Sequence, residues 1–129
     1  MPQENVELVR SLFAKLEGEQ VQALLELFDP HVKWSPTEGG TYHGIEGVSA
    51  AFIEWMEPWE DHKVELEECI EGSDDHVLAT IHIRARGGSS GMEIDQRFFQ
   101  VYTVREGAIA SMVEYVDRAP ALEVAGLSE

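Results

Sequence analysis

The chain has 129 residues, which fits one domain with a single core and leaves little room for a second. Hydrophobic residues make up 43% of it and charged residues 26%, which excludes a disordered chain because enough apolar surface is available to bury. Lys and Arg total 9 against 25 Asp and Glu, so the formal net charge of −16 opposes binding to nucleic-acid phosphates and to anionic membranes.

Helical periodicity marks the first third of the chain. Apolar residues recur every three or four positions in the runs 6–16 and 21–28, and each run predicts an amphipathic helix. Gly18 breaks the first helix, and Pro30 stops the second because proline cannot donate the next backbone hydrogen bond. The chain is therefore expected to begin with two helices.

A strand, a loop and a third helix follow. Residues 32–35 predict a short strand, and the segment 36–44, which is rich in Gly, Thr and Pro, predicts a loop. Apolar residues then return at helical spacing over 45–56, and Pro58 ends this third helix.

From His62 onward the apolar period changes from that of a helix to that of a strand. Four runs predict long strands joined by turns rich in Gly, Ser and Asp. The predicted strands cover 64–70, 77–86, 94–104 and 109–116. A short last helix over 118–125 follows, with Asp117 as its N-cap and Gly126 at its exit.

Helices first and strands second favour an α+β fold. We expect a cone-shaped, curved and mostly antiparallel sheet wrapped around the three N-terminal helices, in one domain over residues 1–129. The outer face of such a sheet must be polar or paired, and an apolar row on it predicts a homodimer. The row consists of Phe99, Val101, Val113 and Tyr115.

No targeting or membrane segment is predicted. The N-terminus lacks a basic region followed by an apolar stretch, and no apolar run is long enough to span a membrane. We therefore expect a cytoplasmic protein with neither a membrane nor a nucleic acid as partner. The single cysteine, Cys69, cannot form an internal disulfide, and its acidic and apolar neighbours should raise the thiol pKa and leave it unreactive.

The order of the elements and several short motifs resemble a known superfamily. The motifs are Leu27-Phe28-Asp29-Pro30-His31-Val32-Lys33-Trp34, Tyr42-His43-Gly44 before Gly47-Val48, the hairpin Gly88-Ser89-Ser90-Gly91, and the ending Glu114-Tyr115-Val116-Asp117-Arg118. Nearly end to end, the chain resembles the nuclear-transport-factor-2-like superfamily and, within it, the SnoaL-like (polyketide-cyclase-like) proteins. The resemblance implies a conical pocket for a small-molecule ligand between the helices and the concave face of the sheet, often in a homodimer.

The resemblance does not name a reaction, because this fold hosts isomerases, dehydratases, cyclases, epoxide hydrolases and proteins without chemistry. The oxyanion and base positions of ketosteroid isomerases fall on Leu12, Gln100 and Pro36, so that activity is not expected. The last-strand aspartate of limonene-epoxide hydrolases aligns with Glu114. The Tyr and Asn that help to hold the water in those enzymes align with Trp34 and Pro36, so the water-holding set is incomplete. The acidic residue of a SnoaL-type ring closure is not placed by the alignment.

Glu114 is the first candidate catalytic residue. A carboxylate among apolar neighbours would be desolvated if it faced the pocket, which raises its pKa towards general acid or base work. Strand alternation leaves both faces open, and the family alignment favours the face that carries Met112 and Glu114 inward. If Glu114 instead faces solvent, the interpretation as an enzyme loses its acid.

His82 and Arg84 lie two residues apart and share one strand face. Facing the pocket, His82 would act with Glu114 as a second catalytic residue, and Arg84 would bind the ligand. Facing outward, both would belong to a solvated or dimer-facing row. The apolar residues at odd positions, Ile81 and Ile83, favour this second arrangement.

The sequence predicts neither a metal nor a cofactor. His31, His43, His62 and His76 lie near turns and element ends and lack the spacing of metal ligands. The glycine-rich hairpin at 87–91 does not lead into a helix, so it does not predict a phosphate site.

A bulky set of side chains is available for the pocket wall. Core packing alone would use such residues, and so would an apolar cavity with a few polar groups inside. The candidate ligand-binding residues, besides Arg84, are Trp34, Phe52, Trp55, Met56, Phe98, Gln100, Tyr102 and Met112.

Two functions stay open. The first is a cofactor-independent cyclase, isomerase or hydrolase that acts by proton transfer on an apolar or polyketide-like substrate. The second is a non-catalytic binder of a small apolar metabolite.

Overall fold

The computed structural model describes residues 2–37, 40–57, 59–88 and 91–127. Pro58, Ser89 and Ser90, which entered the predicted helix end and hairpin, lie outside these ranges. In chain order the elements are α1 (Pro2–Glu17), α2 (Val21–Leu25), β1 (Phe28–Ser35), β2 (Tyr42–His43), α3 (Gly44–Met56), β3 (Trp59–Glu71), β4 (His76–Gly87), β5 (Glu93–Arg105), β6 (Ala108–Tyr115) and α4 (Arg118–Ala125).

The strands form one curved, unclosed sheet in the order β2-β1-β6-β5-β4-β3. Strands β3 to β6 are an antiparallel meander, whereas β1 runs parallel to β6 and antiparallel to β2. The predicted α+β class and mostly antiparallel sheet are therefore confirmed.

The main core lies on the face of the sheet that packs against α1 and α3, which we call the inner face; the opposite face is the outer face. Helix α1 contacts β3, β4 and β6, and α3 contacts β1 and β3. No helix in the described part of the chain is both long and apolar enough to cross a membrane. The core is built from Val9, Leu12, Leu24, Phe28, Val32, Trp34, Val48, Ala51, Val77, Ala79, Tyr102, Val104, Ile109 and Met112.

The second helix is shorter than its sequence predicts. It ends at Leu25, and Phe28 starts a strand instead of the last helical turn. The backbone N–H of Ile109 donates to the Leu27 carbonyl at 2.8 Å, so pairing with β6 takes over from the helix. Pro30 lies inside β1 because the register shifts between Phe28 and Lys33, where the missing proline N–H breaks no ladder bond.

Two strand boundaries also differ from the prediction. The predicted loop over 36–44 contains β2, which pairs with Lys33 and Trp34 of β1. Strand β3 begins at Trp59, where it pairs with Gly87, rather than at residue 64. Residues 60–63 are exposed and polar, so they carry no alternation that would predict a strand.

Helix α4 covers part of the outer face. Its Ala121, Leu122 and Ala125 pack on Leu78 and Val101, with Phe99 and Tyr115 beside them. Phe99, Val101, Val113 and Tyr115 thus lie on the outer face as predicted, but α4 of the same chain packs on part of this row. It leaves Val101 buried, Phe99 and Tyr115 partly buried, and Val113 open at 36% exposure.

The position of α4 depends on a close approach of two backbones. The Ser73 N–H donates to the Ala125 carbonyl at 2.9 Å, and the Leu127 N–H donates to the Leu122 carbonyl at 2.9 Å. Gly126 takes the left-handed conformation (φ 74°) that closes the helix. Asp117 stands at the predicted N-cap position, but its side chain makes no capping hydrogen bond.

Cys69 is half-buried on β3, where its thiol lies 3.8 Å from the Val6 carbonyl oxygen. Burial raises the pKa of the thiol to about 11. The predicted rise of this pKa is confirmed, and few thiolates are available for reaction near neutral pH.

We predict that Gly72→Ala destabilises the protein by about 1–3 kcal/mol, as overpacking does. A Cβ at Gly72 would overlap the Ala125 carbonyl, so α4 would have to move off the sheet. The free energy of urea unfolding measures the effect. Gly18→Ala is the matched control, because its Cβ would meet no atom closer than 3.5 Å. Equal unfolding midpoints for the two variants would contradict the prediction.

Candidate functional site

A cavity of about 520 Å³ lies between the inner face of the sheet and helices α1 and α3. Pockets for small organic molecules commonly have volumes in this range. The wall is mainly apolar and aromatic, and a few polar side chains interrupt it.

Strand alternation decides which side chains reach the cavity. Successive residues of a strand point to opposite faces, so one parity of each strand lines the wall. Strand β4 contributes Ile81 and Ile83, and β6 contributes Glu114. Strand β5 contributes five alternating residues, namely Ile94, Gln96, Phe98, Gln100 and Tyr102.

His82 and Arg84 lie on the outer face, so the prediction that they flank Glu114 in the pocket is wrong. Because Ile81 and Ile83 point inward, the residues between and after them must point outward. His82 pairs across the sheet with Arg97, and Arg84 pairs with Asp95. The outward alternative left open by the sequence is the one that the structure shows.

His82 is nevertheless not solvated, since only 8% of it is exposed. Its Nε2 lies 2.5 Å from an Asp95 oxygen, and its Nδ1 lies 3.7 Å from Glu67. Glu67 in turn accepts a 2.6 Å hydrogen bond from Arg97, which lowers the carboxyl pKa of Glu67. Arg84 binds Glu65 at 3.2 Å. His82 and Arg84 thus belong to an ion-pair network on the outer face.

Most of the predicted wall residues do line the cavity. They are Trp34, Phe52, Trp55, Met56, Phe98, Gln100 and Tyr102. Met112 is an exception, because it is fully buried in the main core and does not belong to the wall. In the sheet it pairs with Trp34 of β1 and Tyr102 of β5, both of which do line the cavity.

Trp34 is the centre of the aromatic wall. Its ring centroid lies 5.1 Å from that of Phe52, 5.7 Å from that of Phe28 and 6.0 Å from that of Tyr102. Edge-to-face and tilted arrangements at these distances are favourable for aromatic pairs. The indole is therefore held in place by rings from three elements.

A second aromatic group lies where α3 meets the start of β3. Trp55 lies 6.2 Å from Trp59 and 5.6 Å from the His62 ring, and all three residues line the cavity. Nearby on α3, the Glu54 carboxylate accepts a 2.8 Å hydrogen bond from the Tyr42 hydroxyl. This hydrogen bond raises the pKa of Tyr42.

A chain of hydrogen bonds connects the buried end of the cavity to Glu114. The Tyr102 hydroxyl donates to Gln100 Oε1 at 2.5 Å, and Gln100 Nε2 donates to Glu114 Oε2 at 2.7 Å. The Thr37 backbone N–H donates to the other Glu114 oxygen at 3.2 Å. We call Tyr102, Gln100 and Glu114 the relay.

Every donor in the relay points towards Glu114. Tyr102 and Gln100 are 0% and 5% exposed, so water cannot replace their bonds. Burial, reinforced by the charge of Glu114, raises the pKa of Tyr102 well above its usual value, so this residue keeps its proton. Both Glu114 oxygens therefore act as hydrogen-bond acceptors, one from Gln100 and one from the Thr37 backbone.

The lining residues that the sequence analysis did not predict include four with polar or aromatic side chains, Glu54, Trp59, His62 and Gln96. Glu54 could have been found, because it lies three residues after Ala51 and beside Trp55 on one helix face. Gln96 shares the parity of Phe98 and Gln100. Trp59 and His62 had no comparable signal, because the strand that presents them begins among exposed polar residues.

Within the described ranges, no group of three or more His, Cys, Asp or Glu side chains is arranged to hold a metal ion.

The sequence model of the SnoaL-like domain family matches residues 9–112. This match runs from the middle of α1 to the centre of β6 and includes most of the cavity wall, although it ends before Glu114. No curated protein sequence matches the chain significantly.

Solved structures show the same fold at low sequence identity. A protein from Jannaschia sp. CCS1, assigned as a SnoaL-like polyketide cyclase, superimposes with a TM-score of 0.78 at 19% identity, covering 100% of this chain and 95% of that one. SalBIII, an epoxide hydrolase/cyclase-like enzyme with a role in pyran ring formation in the polyether salinomycin, gives 0.77 at 19%, covering 89% and 92%. A Mycobacterium tuberculosis protein in complex with estradiol-17beta-hemisuccinate gives 0.75 at 18%, covering 88% and 94%.

We predict that Gln100→Leu lowers the free energy of unfolding by about 1–3 kcal/mol, because the buried Tyr102 hydroxyl loses its acceptor. Gln96→Leu is the matched control, since it makes the same change at an exposed position on the same strand face. Urea unfolding measures the free energy of unfolding of each variant and of the unmodified protein. Gln96→Leu should stay within about 0.5 kcal/mol of the unmodified protein. A Gln100 variant as stable as the control would show that the relay contributes nothing to stability.

Proposed function

We propose that this chain, which belongs to the SnoaL-like domain family, binds a small apolar or polyketide-like molecule in its cavity and uses Glu114 to move a proton on it. The reaction would be of the cyclase, isomerase or hydrolase type. The observation that carries the proposal is the relay together with the Thr37 backbone, because Gln100 and Thr37 direct two N–H donors at a carboxylate in a mainly apolar wall.

The chemistry follows from the position of Glu114. As a general base, it would take a proton from a substrate atom whose acidity an adjacent carbonyl raises, and it would return the proton at another atom of the same molecule. Gln100 and Thr37 hold the two carboxylate oxygens, and Tyr102 holds Gln100. These residues position the base and do not need to touch the substrate.

The relatives support this class of ligand and reaction. SalBIII acts in ring formation, and the Mycobacterium tuberculosis protein holds a steroid derivative, which is large and mostly apolar. A cavity of about 520 Å³ with aromatic walls suits a ligand of similar character in this chain.

A carboxylate base in an apolar cavity can be tested with a generic probe, 5-nitrobenzisoxazole. The base removes the C–H proton of this neutral aromatic compound, the N–O bond breaks, and a coloured cyanophenolate forms. We predict that Glu114→Gln lowers the rate at least about 10²-fold, the usual contribution of a positioned general base. Glu123→Gln on the exposed surface of α4 removes the same charge and should leave the rate unchanged.

Binding is measured in parallel by calorimetry with 2-naphthylmethanol, a neutral aromatic alcohol. The Glu114→Gln variant should bind it within about twofold of the unmodified protein, because the wall is intact. Equal elimination rates for Glu114→Gln and the unmodified protein would remove Glu114 from the proposal. Binding of the alcohol with no elimination above the buffer rate would leave the non-catalytic binder.

We also predict a homodimer, as the family resemblance implies. The support in this chain is Val113, an apolar side chain that α4 leaves open on the outer face. Light scattering at micromolar concentration should give about twice the chain mass of 14.4 kDa. A mass of one chain throughout a dilution series would contradict the prediction.

A further inference from the structure

We propose that the cavity prefers ligands that carry a protonated amine on an apolar or aromatic skeleton and discriminates against carboxylates. The inference rests on the proposed function, since it names the chemical class of ligand for the same cavity. Its basis is the distribution of charge and aromatic rings in the wall.

The charges of the wall have one sign. The described lining residues include Glu54 and Glu114 and contain no Lys or Arg. A carboxylate ligand would enter a partly desolvated space that already holds two like charges, whereas an ammonium group would meet two opposite charges.

Among the described residues, the two carboxylates of the wall also have no basic partner, in contrast with three carboxylates of the outer face. On the outer face Glu65, Glu67 and Glu68 each contact an arginine. In the cavity, the described partners of Glu114 are a side-chain amide and a backbone N–H, and the partner of Glu54 is a tyrosine hydroxyl. A ligand ammonium would therefore act as the cationic partner for Glu54 and Glu114, as arginine side chains do for the outer-face glutamates.

The aromatic wall favours the same ligand class. Trp34, Trp55, Trp59 and Tyr42 all line the cavity, and the faces of indole and phenol rings attract cations. The His62 ring, which lies 5.6 Å from that of Trp55, also lines the cavity. An amine on an aromatic skeleton would combine ring stacking for the skeleton with both carboxylates for its charge.

The net charge of the whole chain does not account for this preference. The formal charge of −16 attracts cations to every surface, but salt at physiological strength screens exposed charges beyond about 8 Å. The preference should therefore depend on the two carboxylates in the wall and not on equally charged groups elsewhere.

The test compares three probes of one skeleton: 2-naphthylmethylamine, 2-naphthylmethanol and 2-naphthoate, which are cationic, neutral and anionic near pH 8. Calorimetry at physiological salt measures each affinity. We expect the amine to bind about tenfold more tightly than the alcohol, and the alcohol at least about tenfold more tightly than the naphthoate.

Three variants locate the effect. Glu114→Gln and Glu54→Gln should each weaken amine binding by about three- to tenfold and change alcohol binding by less than about twofold. Glu123→Gln makes the same change of charge on α4 and should leave all three affinities unchanged. Circular dichroism confirms folding, and if one cavity variant fails to fold, the other decides.

The outcomes separate the inference from the proposed function. If the alcohol binds but the naphthoate binds as tightly as the amine, or if Glu123→Gln weakens amine binding as much as the cavity variants, the inference is overturned and the proposed function stands. If none of the three probes binds, the ligand pocket itself is refuted, and both proposals fall with it.

Discussion

The alternation of side chains along β4, β5 and β6 is the constraint on which the rest of the structure depends. One parity of each strand must face α1 and α3, and the other must face outward. Since Ile81 and Ile83 occupy the inner parity, the basic and imidazole groups of β4 are excluded from the cavity. The same rule places Gln100 opposite Glu114 on the inner face, where the register of β5 and β6 brings their side chains together. A shift of one residue would reverse both arrangements.

The relay shows how a polar chain is accommodated inside an apolar wall. A buried hydroxyl or amide destabilises the fold unless its hydrogen bonds are made. Here the Tyr102 hydroxyl donates to Gln100, and the Gln100 amide donates to Glu114. The chain ends on a carboxylate that reaches the cavity, so the negative charge lies where a ligand can approach it. Aromatic rings around Trp34 fill the space beside the relay and keep water away from its buried end. Stability and candidate chemistry therefore depend on the same residues.

Two structural features cover or pair the side chains of the outer face. Helix α4 buries the apolar part through the close contact of Ala125 with Gly72 and Ser73. The remaining part carries a network in which arginines pair with glutamates and His82 contacts Asp95 and Glu67. Arginine side chains thus pair with carboxylates on the outside of the sheet, whereas the described residues of the inside hold Glu54 and Glu114 without a basic partner. This asymmetry gives the cavity its expected selectivity for charge.

The sequence by itself determined the fold class, because the change of apolar period near His62 separates helices from strands, and its motifs indicated the SnoaL-like family. It also indicated most wall residues, since bulky side chains at one parity of β5 have few other places to lie. It could not decide the faces of His82 and Glu114, because alternation defines two rows without saying which is buried. It missed β2 and the start of β3, and it extended α2 to Phe28, because pairing with distant strands overrode local preference there. Register between strands is a long-range property, and only the tertiary structure decided that Tyr102, Gln100 and Glu114 form one chain of hydrogen bonds.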